Sequence, residues 1–292
     1  MKRIENLDIG HTKHGLDKKF NVKIADIFDD KSLETDFPHR HNFYMICLVI
    51  KGGGTHIVDF EKIEIKLNRL FFLKPDQVHF WEVEPQSKLA VVQFSDDFLT
   101  ELFPYNSIPA INNSSLESFI DLQPEIASSF FEILQKIESE NFQNRLHSKK
   151  IIQANIFILL SEIERLLTSD LIQRTKSNKY TILENFRSLL NKKYKEVTTV
   201  GQFANLLNIT PNYLNMIVKE TTGLTANELM HKRITLEAKR LLINNQLDIS
   251  QIAFDLGFKD ASYFARFFKR SAGISPTEFR NGIYKMYQHP HD

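Results

Sequence analysis

Ser262 and Arg266 stand four residues apart in the run ASYFARFFKRSAG, residues 261–273. On a helix that spacing puts both side chains on one face. A guanidinium there can hold a guanine edge through two parallel hydrogen bonds, and a hydroxyl can bond a base donor or acceptor beside it. Lys259, Lys269 and Arg270 lie toward the two ends of the run, where phosphates flank a groove. Tyr263, Phe264, Phe267 and Phe268 are the positions expected to seat the helix on its neighbours. Together these residue types offer recognition of double-stranded DNA. A single basic amphipathic helix is more often a solvated surface, so the reading needs a second observation.

An internal repeat supplies it. FANLLNITPNYLNMIVKETTGLTANEL lies over IAFDLGFKDASYFARFFKRSAGISPTEF. Phe203 matches Ile252, Leu207 matches Leu256 and Asn208 matches Gly257. After one extra residue in the second turn, Tyr213 matches Tyr263, Leu214 matches Phe264, Lys219 matches Lys269 and Gly223 matches Gly273. Each copy reads as helix, tight turn, helix and glycine stop. The turn residue must tolerate φ > 0, which glycine does freely and asparagine acceptably. Thr210 and Asp260 stand where an N-cap would start each second helix. The pattern is two helix-turn-helix units, about residues 199–223 and 248–273, joined by a long helix. In the first copy Asn212, Asn215 and Met216 take the base-facing positions, and Thr210 and Lys219 the phosphate-facing ones. No arginine fork is present there, because Met216 matches Arg266.

The elements that must carry these residues follow from pattern. From about residue 20 to 95 short runs such as FYMICLVI, THIVDF, RLFFLKP and HFWEVE alternate with turn signals at Gly52–Gly54, Asn68, Pro75–Asp76 and Pro85–Gln86. Many short strands at this spacing imply a sandwich or small barrel. After Pro104 the period becomes helical, with Ile126, Phe130, Ile133, Leu134 and Ile137 on one face and Ile152, Ile156, Leu159, Leu160, Ile163 and Leu167 on another. The second of these helices is apolar over a wide arc, which fits a dimer partner. Residues 168–180 are polar and read as a linker. The expected division is a β domain over 1–110, a helical dimerisation segment over 111–167, the linker, and an all-α domain over 181–292.

Charge divides at the same place. Residues 1–170 hold 19 Lys and Arg against 26 Asp and Glu, net −7, and residues 171–292 hold 18 against 10, net +8. An acidic first half joined to a basic second half points to a polyanion as the second half's partner. No run of eighteen apolar residues suggests a membrane span. The start, MKRIENLDIG, lacks the apolar core of a signal peptide. A lone cysteine, Cys47, suits a buried packing residue in a reducing compartment. A cytoplasmic protein without membrane contact is expected.

The second copy resembles the AraC/XylS family of transcription regulators. It carries that family's Ile252-Ala253, Gly257-Phe258, Ser262-Tyr263-Phe264, Arg266, Phe268-Lys269, Gly273, Ser275-Pro276 and Phe279-Arg280. RITLEAKRLL, residues 233–242, looks like the family's linker helix. The resemblance covers about residues 180–285. The first copy departs from it at Val218, Ala226 and Asn215-Met216, which weakens the expected base readout by that unit. FPHRHNFYMICLVIKGGGTHIVDF and LFFLKPDQVHFWEV are similar to the cupin-type sensor found at the front of many members. The resemblance implies a multidomain α and β protein, with a cupin-like β-barrel, a helical dimerisation segment and a C-terminal double helix-turn-helix domain. It implies a homodimer that binds DNA under control of a small-molecule effector, with RNA polymerase as a further partner if it activates. The effector would change how the linker and helices 124–167 place the two DNA-binding halves.

Cupin enzymes hold a metal with His-x-His, a nearby acid and a later His. His39, His41 and His79 fit three of those places, but residues 42–46 supply no acid. The expectation is therefore no metal, no cofactor and no catalysis. His79 and Trp81 alternate onto one face of a strand. If that face is the interior, they line a pocket with His39, His41 and Tyr44, suited to a small polar ligand such as a sugar. The alternatives are a cupin metalloenzyme fused to a DNA-binding domain, and a constitutive DNA-binding protein whose barrel only dimerises.

Overall fold

The computed structural model describes residues 6–7, 20–26, 38–103, 118–169, 178–243 and 247–288. Most of the expected linker, residues 170–177, lies outside them. The chain divides into two compact units, one mainly of residues 4–167 and the other mainly of residues 168–292.

The first unit opens with β1 (Asn6–Leu7), β2 (Phe20–Asp26), β3 (Arg40–His41) and β4 (Tyr44–Lys51). Next come β5 (Gly54–Val58), β6 (Glu61–Ile65), β7 (Arg69–Leu73), β8 (His79–Val83) and β9 (Lys88–Phe94). A short α1 (Asp96–Thr100), β10 (Phe119–Asp121), α2 (Pro124–Gln143) and α3 (Ser148–Ser169) complete it. A five-stranded sheet runs β10-β7-β4-β9-β2, a three-stranded sheet β6-β5-β8, and β1 pairs with β3. The cupin-like body is thus two packed sheets, and among the described residues no ladder joins them into a closed ring.

The central strand β4 explains the layering. Its side chains alternate, and both faces are buried. Met45, Cys47 and Val49 meet Val58, Ile63 and Ile65 between the sheets. Tyr44, Ile46 and Leu48 face the other way, onto Phe130, Leu134, Ile156 and Leu160 of α2 and α3. The two helices therefore belong to the sensor's core as well as to the segment read as a dimerisation element. That segment also contributes a strand that helical periodicity does not show. β10 pairs antiparallel with β7, and Arg69 clamps Asp121 through two hydrogen bonds of 2.6 and 2.9 Å. The guanidinium holds the Asp121 carboxyl down to about 2.

The second unit is all helix: α4 (Asn178–Lys193), α5 (Val200–Leu206), α6 (Pro211–Thr222), α7 (Ala226–Leu242), α8 (Ile249–Asp255), α9 (Ala261–Ala272) and α10 (Pro276–Gln288). The repeat is structural down to its turns and caps. Thr199 and Asp248 begin α5 and α8 with capping boxes. Thr210 and Asp260 cap α6 and α9. Asn208 and Gly257 take left-handed φ of 55° and 84° in the two turns. Each cap satisfies donors that the first helical turn leaves orphaned. The long helix α7 is tied at both ends. The Ala226 N–H donates to Asn215 Oδ1 at 3.0 Å, and Arg280 donates to the carbonyls of Leu242 and Leu247 at 3.0 and 2.9 Å.

Gly257 is constrained twice, by its positive φ and by contact. A Cβ there would meet the Lys195 carbonyl oxygen at 2.4 Å, whereas at Gly273, φ +83°, it would meet nothing within 4 Å. Gly273→Ala should cost about 1–2 kcal/mol, the left-handed penalty alone. Gly257→Ala should cost distinctly more in the same thermal unfolding measurement. Equal losses would show that the Lys195 contact relaxes freely.

Candidate nucleic-acid interface and sensor site

The recognition helix of the second unit is seated by aromatic rings. Phe264, Phe267 and Phe268 are buried. Phe258, from the turn, lies 5.3 and 5.2 Å from the rings of Phe264 and Phe267. Phe267 also meets His231 of α7 edge-on at 5.1 Å, and Phe268 meets Phe279 of α10 at 5.6 Å. With that side filled, Ser262, Arg266, Lys269 and Arg270 all point to solvent, and Lys259 is exposed in the turn. Tyr263 departs from expectation. It does not join the packed face but stays 52% exposed, leaning on Phe258 at 5.9 Å. The reason is angular: it lies next to Ser262 rather than within the 264, 267, 268 stripe. A cleft of about 410 Å³ opens beside it, lined by Tyr194, His231, Phe258 and Phe267 among others. Burial and the nearby Arg270 lower the His231 pKa there.

The first unit has the same frame with different chemistry. Leu214, Ile217 and Val218 are buried, and Thr210, Asn212, Met216 and Lys219 are exposed. Asn215, expected to face the bases, has a structural partner as well. It is half-buried, and its Oδ1 is occupied by the first N–H of α7. Where the second unit has Arg270, the first has Glu220, ion-paired to Lys179 of α4 at 2.7 Å. The first recognition helix therefore carries less positive charge.

In the sensor unit, His39, His41 and His79 come together, and the ladder adds a fourth imidazole. His56 of β5 stands opposite Trp81 of β8 and stacks on it at 3.4 Å. His56 Nε2 lies 3.1 Å from His79 Nδ1. The rings of His39 and His41 approach His79 at 4.2 and 5.0 Å. Backbone hydrogen bonds in both directions, 3.0 and 2.9 Å, hold residue 39 against residue 79. All four histidines are buried. Trp81 packs against the core between the sheets, so its strand face is the interior one. Tyr44 is not part of this group. It stacks between Phe72 and Phe94 on the helix side of β4 and bonds Asp96 at the start of α1.

Burial dominates the electrostatics of the cluster. It lowers His41 to about 3, helped by His39. It also pushes His56 and His79 well below the ordinary imidazole value, with their neighbours adding to the effect. All three are neutral at pH 7. Among the described residues, both ring nitrogens of His41, Nδ1 of His56 and Nε2 of His79 find no hydrogen-bond partner. Among the described residues, no group of three or more His, Cys, Asp or Glu has the arrangement of a metal site. His56 escaped the sequence reading because its pairing with Trp81 depends on strand register.

Comparison with known proteins follows the same division. The AraC-like ligand binding domain model matches residues 29–154. A helix-turn-helix domain model matches residues 203–282. The chain belongs to the AraC/XylS family of transcription regulators. This AraC-family regulator is 23% identical to the HTH-type transcriptional activator RhaS of Escherichia coli O81 (strain ED1a), over 85% of this chain and 89% of that one. It is likewise 23% identical to the activator RhaR of Escherichia coli (strain K12), over 83% and 86% of the two chains. Among solved structures, ToxT from Vibrio cholerae aligns over 90% of this chain and 98% of its own, at 16% identity and a TM-score of 0.44. The regulator thus joins a DNA-binding domain to a ligand-binding one. No helix among its described residues is long and apolar enough to cross a membrane.

The bond from Ala226 gives Asn215 a structural role at the start of α7, whose N-cap is Thr225. Asn215→Ala should lower stability by about 1 kcal/mol and leave the preferred DNA sequence unchanged. A changed preference with unchanged stability in a binding-site selection would return Asn215 to the base-reading set.

Proposed function

We propose that this regulator senses a neutral, polyhydroxylated small molecule of the sugar class at His41, His56 and His79, beside Trp81, and that the ligand alters its affinity for DNA. The observation that carries this is the set of unpartnered ring nitrogens in a buried, uncharged cluster. A neutral imidazole presents one donor and one acceptor, which is the complement of a hydroxyl. The three imidazoles themselves would offer a charged ligand no opposite charge in exchange for its lost hydration. An unpaired buried polar group costs about 1–3 kcal/mol, so a ligand that supplies partners gains that much per group. Control of DNA affinity requires the ligand to bind two arrangements of the protein unequally.

On the DNA side, Arg266 reads a guanine, with Ser262 and Asn212 as further base contacts. Thr210, Lys219, Lys259, Lys269 and Arg270 hold phosphates. A homodimer through α2 and α3 is supported by Phe142, 90% exposed near the end of α2, and by the exposed Leu146 and Ile158. The two transcriptional activators it resembles support contact with RNA polymerase, and the DNA-binding domain supports a place in the cytoplasm.

The test uses the full chain. A panel of neutral sugars and their acid derivatives is screened by thermal shift and by DNA binding. A neutral sugar should raise the melting temperature and change DNA affinity, and His79→Phe should lose both responses while keeping ligand-free DNA binding. Arg266→Ala should relax preference at one base pair by about 1–3 kcal/mol, and Lys269→Ala should reduce the salt slope by about one. A response only to acid derivatives, retained in His79→Phe, would overturn the sensor assignment.

A further inference from the structure

The two recognition helices present different surfaces to a groove. In α9 the exposed position two after the buried Phe264 is Arg266; in α6 the matching position is Met216, 40% exposed. Tyr213 stands three residues before Met216 on the same helix, 36% exposed, which places the two side chains next to each other. The buried stripe that seats α6 is Leu214, Ile217 and Val218, and Tyr213 and Met216 lie outside it with part of each side chain open to solvent. The neighbouring amide, Asn215, bonds the first N–H of α7. What the first unit offers a DNA groove is therefore a thioether and an aromatic ring, flanked by Asn212 and Lys219.

We propose that the first helix-turn-helix unit reads thymine methyl groups through Tyr213 and Met216, leaving guanine recognition to the second. The inference rests on the DNA-binding reading above and adds to it the chemistry of one half of the site. The thymine C5-methyl is the apolar group that the major groove displays. Methionine is unbranched and polarizable, so it fits itself against such a group. Burying one methyl is worth about fourfold in affinity, which is less than a bidentate arginine contact gives. The operator half under α6 should accordingly be A·T-rich and individually weaker, and Glu220, paired with Lys179, adds no attraction for phosphate there.

The experiment replaces thymine by deoxyuridine, which removes the methyl and keeps every hydrogen-bonding group of the base. A preferred duplex is first selected from random DNA with the full chain. The half read by α6 is the one whose preference survives Arg266→Ala. Deoxyuridine in that half should weaken binding about fourfold per contacted methyl. Met216→Ala and Tyr213→Ala should bind the thymine and deoxyuridine duplexes more nearly alike, and Met216→Arg should shift the preference at its position toward guanine. Equal affinity of the unaltered protein for both duplexes would overturn the proposal while leaving DNA recognition intact. So would full methyl discrimination in both alanine variants. Failure to select any duplex would instead remove the DNA-binding reading, and this inference with it.

Discussion

The helix α7 is held at its two ends by a side chain of the first helix-turn-helix unit and by one from α10. At its start the Ala226 N–H donates to Asn215 Oδ1 of the first unit, and at its end Arg280, beyond the second unit, donates to the carbonyls of Leu242 and Leu247. Between those ends Met230, Ile234, Ala238 and Leu242 are buried. Arg233 lies over the Tyr194 ring at 4.3 Å and bonds Asn191 at 2.9 Å, tying α7 to α4. Everything the DNA-binding unit can do with two recognition helices depends on this. Two weak contacts multiply in affinity only if their separation is fixed, because the second then binds at high effective concentration. A first unit that lacks an arginine fork is useful under that condition.

The sensor unit is organised around a different constraint, the burial of β4 on both faces. One face supports α2 and α3, and the other closes the space between the sheets where the histidines lie. Neutral imidazoles that find no partner among the described residues raise the energy of the ligand-free state. In the proposed sensing role, that same cost is what a ligand supplying partners would recover. The size of any response at the DNA is bounded by how differently the ligand binds the two arrangements of the protein, so a large switch requires the cluster to rearrange between them.

What was legible in the sequence was local. Turn chemistry at Asn208 and Gly257, the caps Thr210 and Asp260, and the buried stripe Phe264, Phe267 and Phe268 depend on residues within a few positions of each other. A repeat displays each of them twice. What was not legible depended on partners far along the chain. Tyr44 sits in a run apolar at every position, so alternation separates its two faces without saying which one meets helices and which meets the second sheet. His56 joins its cluster through a register that only the folded ladder defines. Asn215 reads as a polar residue on a recognition helix until the start of α7 is brought beside it. Tyr263, counted with its aromatic neighbours, lies just outside the stripe that they form. β10 is too short for its alternation to stand out, and its place is set by Arg69 and Asp121.

The claim that most of this account rests on is that α7 makes one rigid reader from two units. The direct measurement is the affinity of the full chain for its selected duplex as base pairs are inserted between the two contacted elements. An insertion of about five base pairs, half a helical turn, should remove most of the specific affinity by turning one element away from its helix. An insertion of about ten should not restore it, since α7 cannot lengthen. Affinity that stays constant across both insertions would contradict the account and show that the two units bind independently.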